Sequence, residues 1–170
     1  MRRVLRRSSP VLVLLLAVVA GFVAQKVVGD DDGDPSTARV IRVVDGDTIV
    51  ADVEGREERV RYIGVDTPES VKPGTPVQCY AKKASARNRA LVEGRRVRLV
   101  TDAEERDRYG RLLAYVYRQD DGAFVNAALV REGFATPLTI PPNVAHEAQF
   151  ATLAREARRA GRGLWSTCSR

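Results

Sequence analysis

The sequence contains very few of the residues that several common kinds of catalytic site require. Among its 170 residues are one histidine, His146, and two cysteines, Cys79 and Cys168. Two histidines therefore cannot act as an acid and base pair, and no zinc site of cysteine and histidine ligands can be assembled. Chemistry in this chain must depend on carboxylates, arginines and a bound metal ion.

Aromatic residues and net charge are also modest. Phe, Trp and Tyr make up 6% of the chain, which disfavours a carbohydrate-binding surface built from exposed rings. The formal charge is +6, but Arg2, Arg3, Arg6 and Arg7 all precede the first acid, Asp30. Without these four, 24 basic residues face 22 acidic ones and the charge is +2. A protein that coats duplex DNA would usually carry more charge, so the placement of individual arginines must matter more.

Residues 1–28 have the composition of a signal peptide or an N-terminal membrane anchor. A basic start is followed by the apolar run PVLVLLLAVVAGFVA. The stretch 10–28 is nearly long enough to span a bilayer, although Gln25 and Lys26 interrupt it. We therefore expect export, giving a secreted protein or, if the segment is kept, a membrane-anchored protein at the cell surface.

The rest of the chain divides into a polar linker, one domain and a short tail. Residues 29–37, GDDDGDPST, are the linker, residues 38–167 the domain and residues 168–170 the tail. In an exported protein an even number of cysteines suggests a disulfide, here between Cys79 and Cys168. Such a bond would tie the first long helix to the C-terminal tail, whereas two free thiols are the alternative.

The pattern of β-branched residues and turns predicts a β barrel. Strands are expected at 38–46, 47–53, 57–65, 95–101 and 111–118. Helices are expected at 77–94, 124–133 and 143–160, the last with Asn143 as its N-cap. Three strands, a helix and two more strands is the order of a five-stranded Greek-key barrel of the OB-fold type. The predicted class is α+β, mainly β, with three helices.

Polar residues collect at the ends of these strands, where folding alone does not require them. They are Asp45, Asp47 and Thr48; Arg61, Asp66, Thr67 and Glu69; and Asp107, Arg108, Tyr109 and Arg111. Each group taken singly fits an ordinary turn. Together they provide carboxylates for a hard divalent cation, a further carboxylate to activate water, and guanidinium groups to bind a phosphate. This combination suits phosphodiester cleavage.

Two members of the set can share a site only if the third strand bends. Arg61 and Asp66 are an odd number of residues apart, so a regular strand would place them on opposite faces. Gly64 lies between them and is the expected position of a bulge or bend.

Several stretches of the sequence resemble the staphylococcal nuclease (thermonuclease) family. VVDGDTI, VRYIGVDTPE, DRYGRLLAYVY and VNAALVREGFA occur in the family's order and lie within residues 39–165. The resemblance implies an OB-fold barrel with three helices. It also implies a calcium-dependent nuclease that hydrolyses DNA and RNA, favours single-stranded or locally open substrates, and leaves 3′-phosphates. We expect a monomer, since no protein partner is evident.

The resemblance also assigns a metal site and a general base. Asp47, Asp66 and the main-chain carbonyl of Thr67 would bind Ca²⁺. Glu69 would position and deprotonate the attacking water.

Arginines and a tyrosine complete the site that the resemblance implies. Arg61 and Arg111 would bind the phosphate and stabilise the transition state. Tyr109 aligns with a tyrosine that contacts a phosphate of the nucleotide, and Arg108 stands where the family often has lysine.

One loop departs from the family pattern. Residues 136–143, TPLTIPPN, contain no aromatic residue, whereas the family's prototype has tyrosines in this region, one of which packs on the bound base. Stacking on a base contributes roughly 1–3 kcal/mol, so affinity and base preference are expected to differ. His146 and Trp165 match family positions outside the active site, and we expect them to be structural.

The alternative function is a non-catalytic OB-fold module that binds nucleic acid or a protein. Such a module would be expected to lose carboxylates or arginines from the set. Here Asp47, Asp66, Glu69, Arg61 and Arg111 all remain, which favours an enzyme.

Overall fold

The computed structural model describes residues 37–70, 74 and 76–168. The predicted signal or anchor segment at 1–28, the linker up to residue 36 and the last two residues lie outside this part. Within the described ranges, no helix has the length and apolar character needed to cross a membrane.

Five strands form a closed barrel. They are β1 (Thr37–Asp45), β2 (Thr48–Val53), β3 (Arg56–Tyr62), β5 (Arg96–Val100) and β6 (Leu112–Arg118). Their order around the barrel is β1-β2-β3-β6-β5, with β3 and β6 parallel and the other described pairs antiparallel. β-Branched side chains fill the interior, as alternation along each strand requires. The predicted barrel of the OB-fold type is confirmed.

In the described ranges four helices surround the barrel, whereas the sequence predicted three. They are α1 (Ala81–Val92), α2 (Val125–Arg131), α3 (Glu147–Arg159) and α4 (Leu164–Thr167). The fourth is a single turn, too short for a clear apolar period in the sequence. Two further strands, β4 (Val65–Asp66) and β7 (Thr136–Pro137), pair with each other in a small second sheet. The loop without aromatic residues thus begins as a partner of the Asp66 segment.

The third predicted strand breaks at Gly64, as expected. Gly64 has φ +78°, and a Cβ there would lie 2.5 Å from Cε2 of Phe150 in α3. Only glycine combines this left-handed backbone with such close packing. After the bend the chain continues as β4 in the second sheet, and the side chains of Arg61 and Asp66 come within 2.9 Å of each other.

Two buried asparagines fasten the strand ends that carry polar residues. Nδ2 of Asn88, in α1, donates to the carbonyl of Asp45 at 3.0 Å, while its Oδ1 accepts from the Tyr62 hydroxyl at 2.9 Å. Burial raises the pKa of Tyr62, which keeps the hydroxyl a donor. Nδ2 of Asn126, in α2, donates to the carbonyl of Ile63 at 2.9 Å. Helix packing therefore determines where β1 and β3 end.

The predicted cap of the last long helix was wrong. α3 begins at Glu147, and His146 rather than Asn143 occupies the N-cap position. The buried Asn143 side chain instead bonds the main chain of Glu104, accepting from its N–H at 2.8 Å and donating to its carbonyl at 2.9 Å. A cap residue bonds its own helix, whereas Asn143 joins two distant loops.

His146 and Trp165 lie outside the site, as expected. The His146 ring packs 4.5 Å from the ring of Tyr115, centroid to centroid. It also lies beside Phe124, at 4.9 Å. Trp165 belongs to α4, and Cζ of Arg158, in α3, lies 5.6 Å from the centre of its ring. Both residues therefore have packing roles.

The predicted disulfide between Cys79 and Cys168 is present, with a sequence separation of 89 residues. Cys79 precedes α1 by two residues and Cys168 follows α4 directly. The bond thus fastens the start of α1, rather than its interior, to the end of the described chain.

Reducing this disulfide is expected to lower the free energy of unfolding by about 4–5 kcal/mol in the chain-entropy model. The measurement is urea unfolding with and without a phosphine reductant. A Cys79→Ser/Cys168→Ser variant is the control, because reductant should leave its stability unchanged. Equal stability of oxidised and reduced wild type would contradict the prediction. Alkylation without reductant, followed by mass spectrometry, should find no modified thiol.

Candidate active site

The turn between β1 and β2 presents Asp47 to the rest of the site. A Cβ at Gly46 would lie 2.6 Å from Oγ1 of Thr67, so the turn packs directly against the segment after β4. Oδ2 of Asp47 accepts from the main-chain N–H and the hydroxyl of Thr67, each at 2.8 Å. Its Oδ1 accepts from the Thr48 hydroxyl at 3.1 Å. The carboxylate is therefore buried and held in one orientation.

Arg61 bridges two carboxylates. Its Nη2 donates to Oδ1 of Asp66 at 2.9 Å. Its Nη1 lies 2.7 Å from Oδ2 of Asp47 as an ion pair but makes no hydrogen bond of good geometry. Because the Arg61 side chain is only 14% exposed, Nη1 is a buried donor without a proper acceptor, a state that proteins usually avoid.

The Asp66 side chain is 54% exposed, and the enclosed part of its surroundings disfavours the charge of its carboxyl. Burial raises its pKa most, Arg61 lowers it, and the nearby Asp47 and Glu69 raise it further. The net direction is upward, so one arginine does not fully offset burial and like charge.

Asp66→Asn is expected to stabilise the metal-free protein at neutral pH. The pKa of Asp66 in the folded protein is raised above its ordinary value of 3.8. The free energy of unfolding therefore falls as pH rises from the ordinary pKa to the folded-state pKa, and the whole destabilisation by the Asp66 charge is present above the folded-state pKa. The measurement is urea unfolding with chelator between pH 3 and 7. The gain over wild type should appear near neutrality and vanish below the ordinary pKa. Exposed Asp52→Asn on β2 is the control, and a less stable Asp66→Asn at pH 7 would refute this.

The segment that carries Glu69 is fastened at two points. The main-chain N–H of Glu69 donates to Oε1 of Gln78 at 2.8 Å, and the N–H of Gln78 donates to the carbonyl of Glu69 at 3.0 Å. The Ser70 hydroxyl donates to Oδ1 of Asp45 at 2.7 Å. Burial raises the pKa of Asp45, and the adjacent Glu69 carboxyl adds to the rise. Sequence analysis missed the roles of Ser70 and Gln78, since both bonds depend on the fold.

The loop before β6 is organised by Asp107. Its Oδ1 accepts from the main-chain N–H groups of Tyr109, at 2.9 Å, and Arg111, at 3.0 Å. Its Oδ2 accepts from Nε of Arg111 at 2.7 Å. Burial acts to raise the pKa of Asp107, but the bonds from Arg111 and the two amides outweigh it and lower the pKa. The carboxylate thus stays charged and orients the Arg111 guanidinium.

These segments enclose one cavity of about 590 Å³. Its lining comprises Val44, Asp45, Asp47, Thr48, Arg59, Arg61, Asp66, Thr67, Glu69, Tyr109 and Arg111. All but one of the residues predicted for metal binding, catalysis or substrate binding are in that lining. The exception is Arg108, whose Nη2 donates to the Tyr109 hydroxyl at 2.6 Å.

The cavity also contains Arg59, which sequence analysis did not single out. The signal was available, because Arg59 is two residues before Arg61 on β3 and residues so spaced face the same side. It was hidden by the abundance of arginine in the chain.

In the described part of the chain, no three or more His, Cys, Asp or Glu side chains are grouped to hold a metal ion. The predicted set has only two carboxylates, with a main-chain carbonyl as third donor. Asp47 and Asp66 both lie within 3 Å of the Arg61 guanidinium, so the two can approach a common ligand. Oxygen donors of this kind suit Ca²⁺, and the residues present therefore fit the ion.

Comparisons with known proteins agree with this geometry. The family model described as "Staphylococcal nuclease homologue" matches residues 59–167. The thermonuclease of Staphylococcus intermedius is 41% identical over 165 residues, covering 93% of this chain and 96% of that protein. The thermonuclease of Staphylococcus hyicus is 40% identical over 141 residues, covering 83% of this chain and 82% of that protein. Endonuclease YncB of Bacillus subtilis (strain 168) is 42% identical over 127 residues, covering 74% of this chain and 59% of that protein. The resemblance seen in the sequence is confirmed, and the chain belongs to the staphylococcal nuclease family.

Proposed function

We propose that this protein is a Ca²⁺-dependent nuclease that hydrolyses phosphodiester bonds of DNA and RNA. The observation that carries the proposal is the convergence of Arg61, Arg111, Asp47, Asp66 and Glu69 on one cavity. The nuclease names of the relatives and the shared family support it.

The two arginines provide a phosphate site. Nη1 of Arg61 is paired with the Asp47 carboxylate but has no hydrogen bond of good geometry among the described residues, and a phosphate oxygen would offer it a better-placed acceptor. Asp107 occupies Nε and Nη2 of Arg111, which leaves Nη1 of that residue for the substrate. Guanidinium groups held in this way stabilise the charge that develops on a phosphoryl group in the transition state.

Asp47, Asp66 and the Thr67 carbonyl would hold the cation. A bound divalent ion would neutralise charge on the phosphate oxygens and orient the substrate. Thr67 orients Asp47 through two hydrogen bonds, and the bend at Gly64 brings Asp66 to the same place.

Glu69 would accept the proton from the attacking water. The water oxygen forms a bond to phosphorus while the bond from phosphorus to the 5′ oxygen breaks. The leaving 5′ oxygen takes a proton from solvent and becomes a hydroxyl, and the phosphate stays on the 3′ side. Gln78 holds the main chain of Glu69, so the carboxylate starts from a defined position.

The loop without aromatic residues adjoins this site. Leu138 and Ile140 line a second cavity of about 260 Å³, which shares Arg61 and Arg111 with the first. Leu138 is 38% exposed and Ile140 is 61% exposed. Aliphatic contacts would replace stacking on a base, so we propose weak base preference and lower affinity than an aromatic loop provides.

Export also remains a proposal. Residues 1–28 carry the signal or anchor pattern, and the disulfide between Cys79 and Cys168 suits an oxidising compartment. Secretion or attachment at the cell surface would place the enzyme where Ca²⁺ is plentiful.

The test is cleavage of single-stranded DNA, duplex DNA and RNA by the full-length protein with Ca²⁺, with Mg²⁺ and with chelator. Cleavage that needs Ca²⁺ and leaves 3′-phosphates, assigned by mass spectrometry of the products, would support the proposal. Binding without cleavage under every condition, in protein shown to be folded, would favour the non-catalytic OB-fold module.

A further inference from the structure

We propose that Arg59 binds the phosphate next to the cleaved one on the substrate strand, forming a second phosphate subsite. This inference rests on the proposed nuclease function. It concerns a residue outside the set that carries the chemistry.

Strand geometry places Arg59 beside Arg61 on the outer face of the barrel. Val60 and Tyr62 are 0% and 1% exposed and face the interior, so the alternate residues Arg59 and Arg61 face outward. Both line the 590 Å³ cavity. With a rise of about 3.3 Å per residue, their Cα atoms are about 6.6 Å apart along the strand. An extended polynucleotide advances by about this distance from one phosphate to the next.

The Arg59 side chain is available for an external anion. It is exposed, and in the described part of the chain no hydrogen bond or ion pair engages it. The other arginines of the cavity contrast with it, because Arg61 contacts Asp47 and Asp66 and Arg111 contacts Asp107. A cavity arginine without a carboxylate partner retains its full capacity to bind a phosphate.

The surroundings limit the subsite to one phosphate. Directly across the β2–β3 pair, Arg59 faces Val50, so no acid opposes it. Glu57 lies two residues before Arg59 on the outward face of β3, and it faces Asp52 of β2. These two acids would repel the next phosphate. The outward face of β3 therefore provides Arg61 for the cleaved phosphate and Arg59 for one neighbouring phosphate.

The test compares a substrate that has the neighbouring phosphate with one that lacks it. For Arg59→Ala in the full-length protein, KM for single-stranded octathymidylate should rise roughly tenfold, because a charged hydrogen bond is lost. Its kcat should stay unchanged, and Arg59→Lys should recover part of the loss. For the dinucleoside monophosphate TpT, which has only the cleaved phosphate, both constants should match wild type. Arg56→Ala is the matched control, an exposed arginine on the same strand paired with Glu54 outside the cavity lining.

Binding provides a readout that does not require cleavage. In chelator, the affinity for octathymidylate should fall with salt less steeply in Arg59→Ala, by about 0.7 in the logarithmic slope for one lost phosphate contact. Four outcomes would each overturn the proposal. Arg59→Ala could leave the salt slope and KM unchanged, or it could raise KM for TpT as much as for octathymidylate. Arg56→Ala could raise KM as much as Arg59→Ala, or wild type could fail to bind octathymidylate. Salt-dependent binding through Arg59 without cleavage would uphold the subsite while refuting the nuclease function.

Discussion

Glu69→Gln is expected to lower kcat for DNA cleavage by about 10²–10⁴-fold, because an amide cannot accept the proton of the attacking water. The substitution preserves size, and the bonds between Glu69 and Gln78 that hold this segment use main-chain atoms of residue 69. Fold and affinity for single-stranded DNA in chelator should therefore remain near wild type. Single-turnover cleavage with Ca²⁺ measures the chemical step.

The pH dependence of that step gives a second check. In wild type the rate should rise with pH, and the rise should be shallower in Glu69→Gln, where the cavity carboxyls with a raised pKa, Asp45 and Asp66, still contribute. Glu57→Gln is the matched control, since Glu57 is exposed on β3 and outside the cavity lining. Near-normal cleavage by Glu69→Gln would remove Glu69 from the mechanism and leave the metal and arginine assignments standing.

Arg111→Ala is expected to lower kcat by about 10²–10³-fold, the effect of removing one preorganised donor from a charged transition state. Arg111→Lys should recover only part of the rate, because an ammonium group cannot contact Asp107 and a phosphate with a planar fork. Arg111→Ala also removes a partner that lowers the pKa of Asp107, so thermal unfolding must be measured alongside the kinetics.

Arg106→Ala is the control for this experiment. Arg106 belongs to the same loop but lies outside the cavity lining, where it pairs with Glu58 at 2.8 Å and donates to the Gly110 carbonyl at 2.9 Å. Its loss removes one loop contact but no cavity side chain, so kcat should fall far less than in Arg111→Ala. If Arg106→Ala and Arg111→Ala reduce the rate equally, the loop has a general structural role and Arg111 has no special place at the phosphate.

Local pattern was sufficient for most of the barrel. β-Branched alternation and turn residues located its five strands, and an odd spacing between two polar residues located the bend at Gly64. It was insufficient where a residue's partner is distant. Asn143 has the side chain of a helix cap, but its position in space makes it a bond between loops.

The candidate site divides in the same way. The residue types that suit phosphate and metal chemistry, together with their order along the chain, were enough to identify the family. Local pattern could not predict how these residues are arranged in space. The contact of Asp45 with Ser70 joins segments 25 residues apart, and that of Asp47 with Thr67 joins segments 20 residues apart.

By itself, then, the sequence determined which side chains are present and which face of each strand they occupy, since these follow from composition and a two-residue period. Only the tertiary structure decided that Asn88 and Asn126 fasten the strand ends and that Gln78 holds Glu69. It also decided that Arg59 enters the cavity with no carboxylate partner among the residues that the structure describes. These features depend on closure of the barrel and packing of the helices. Such contacts join residues far apart in the chain, and no local pattern records them.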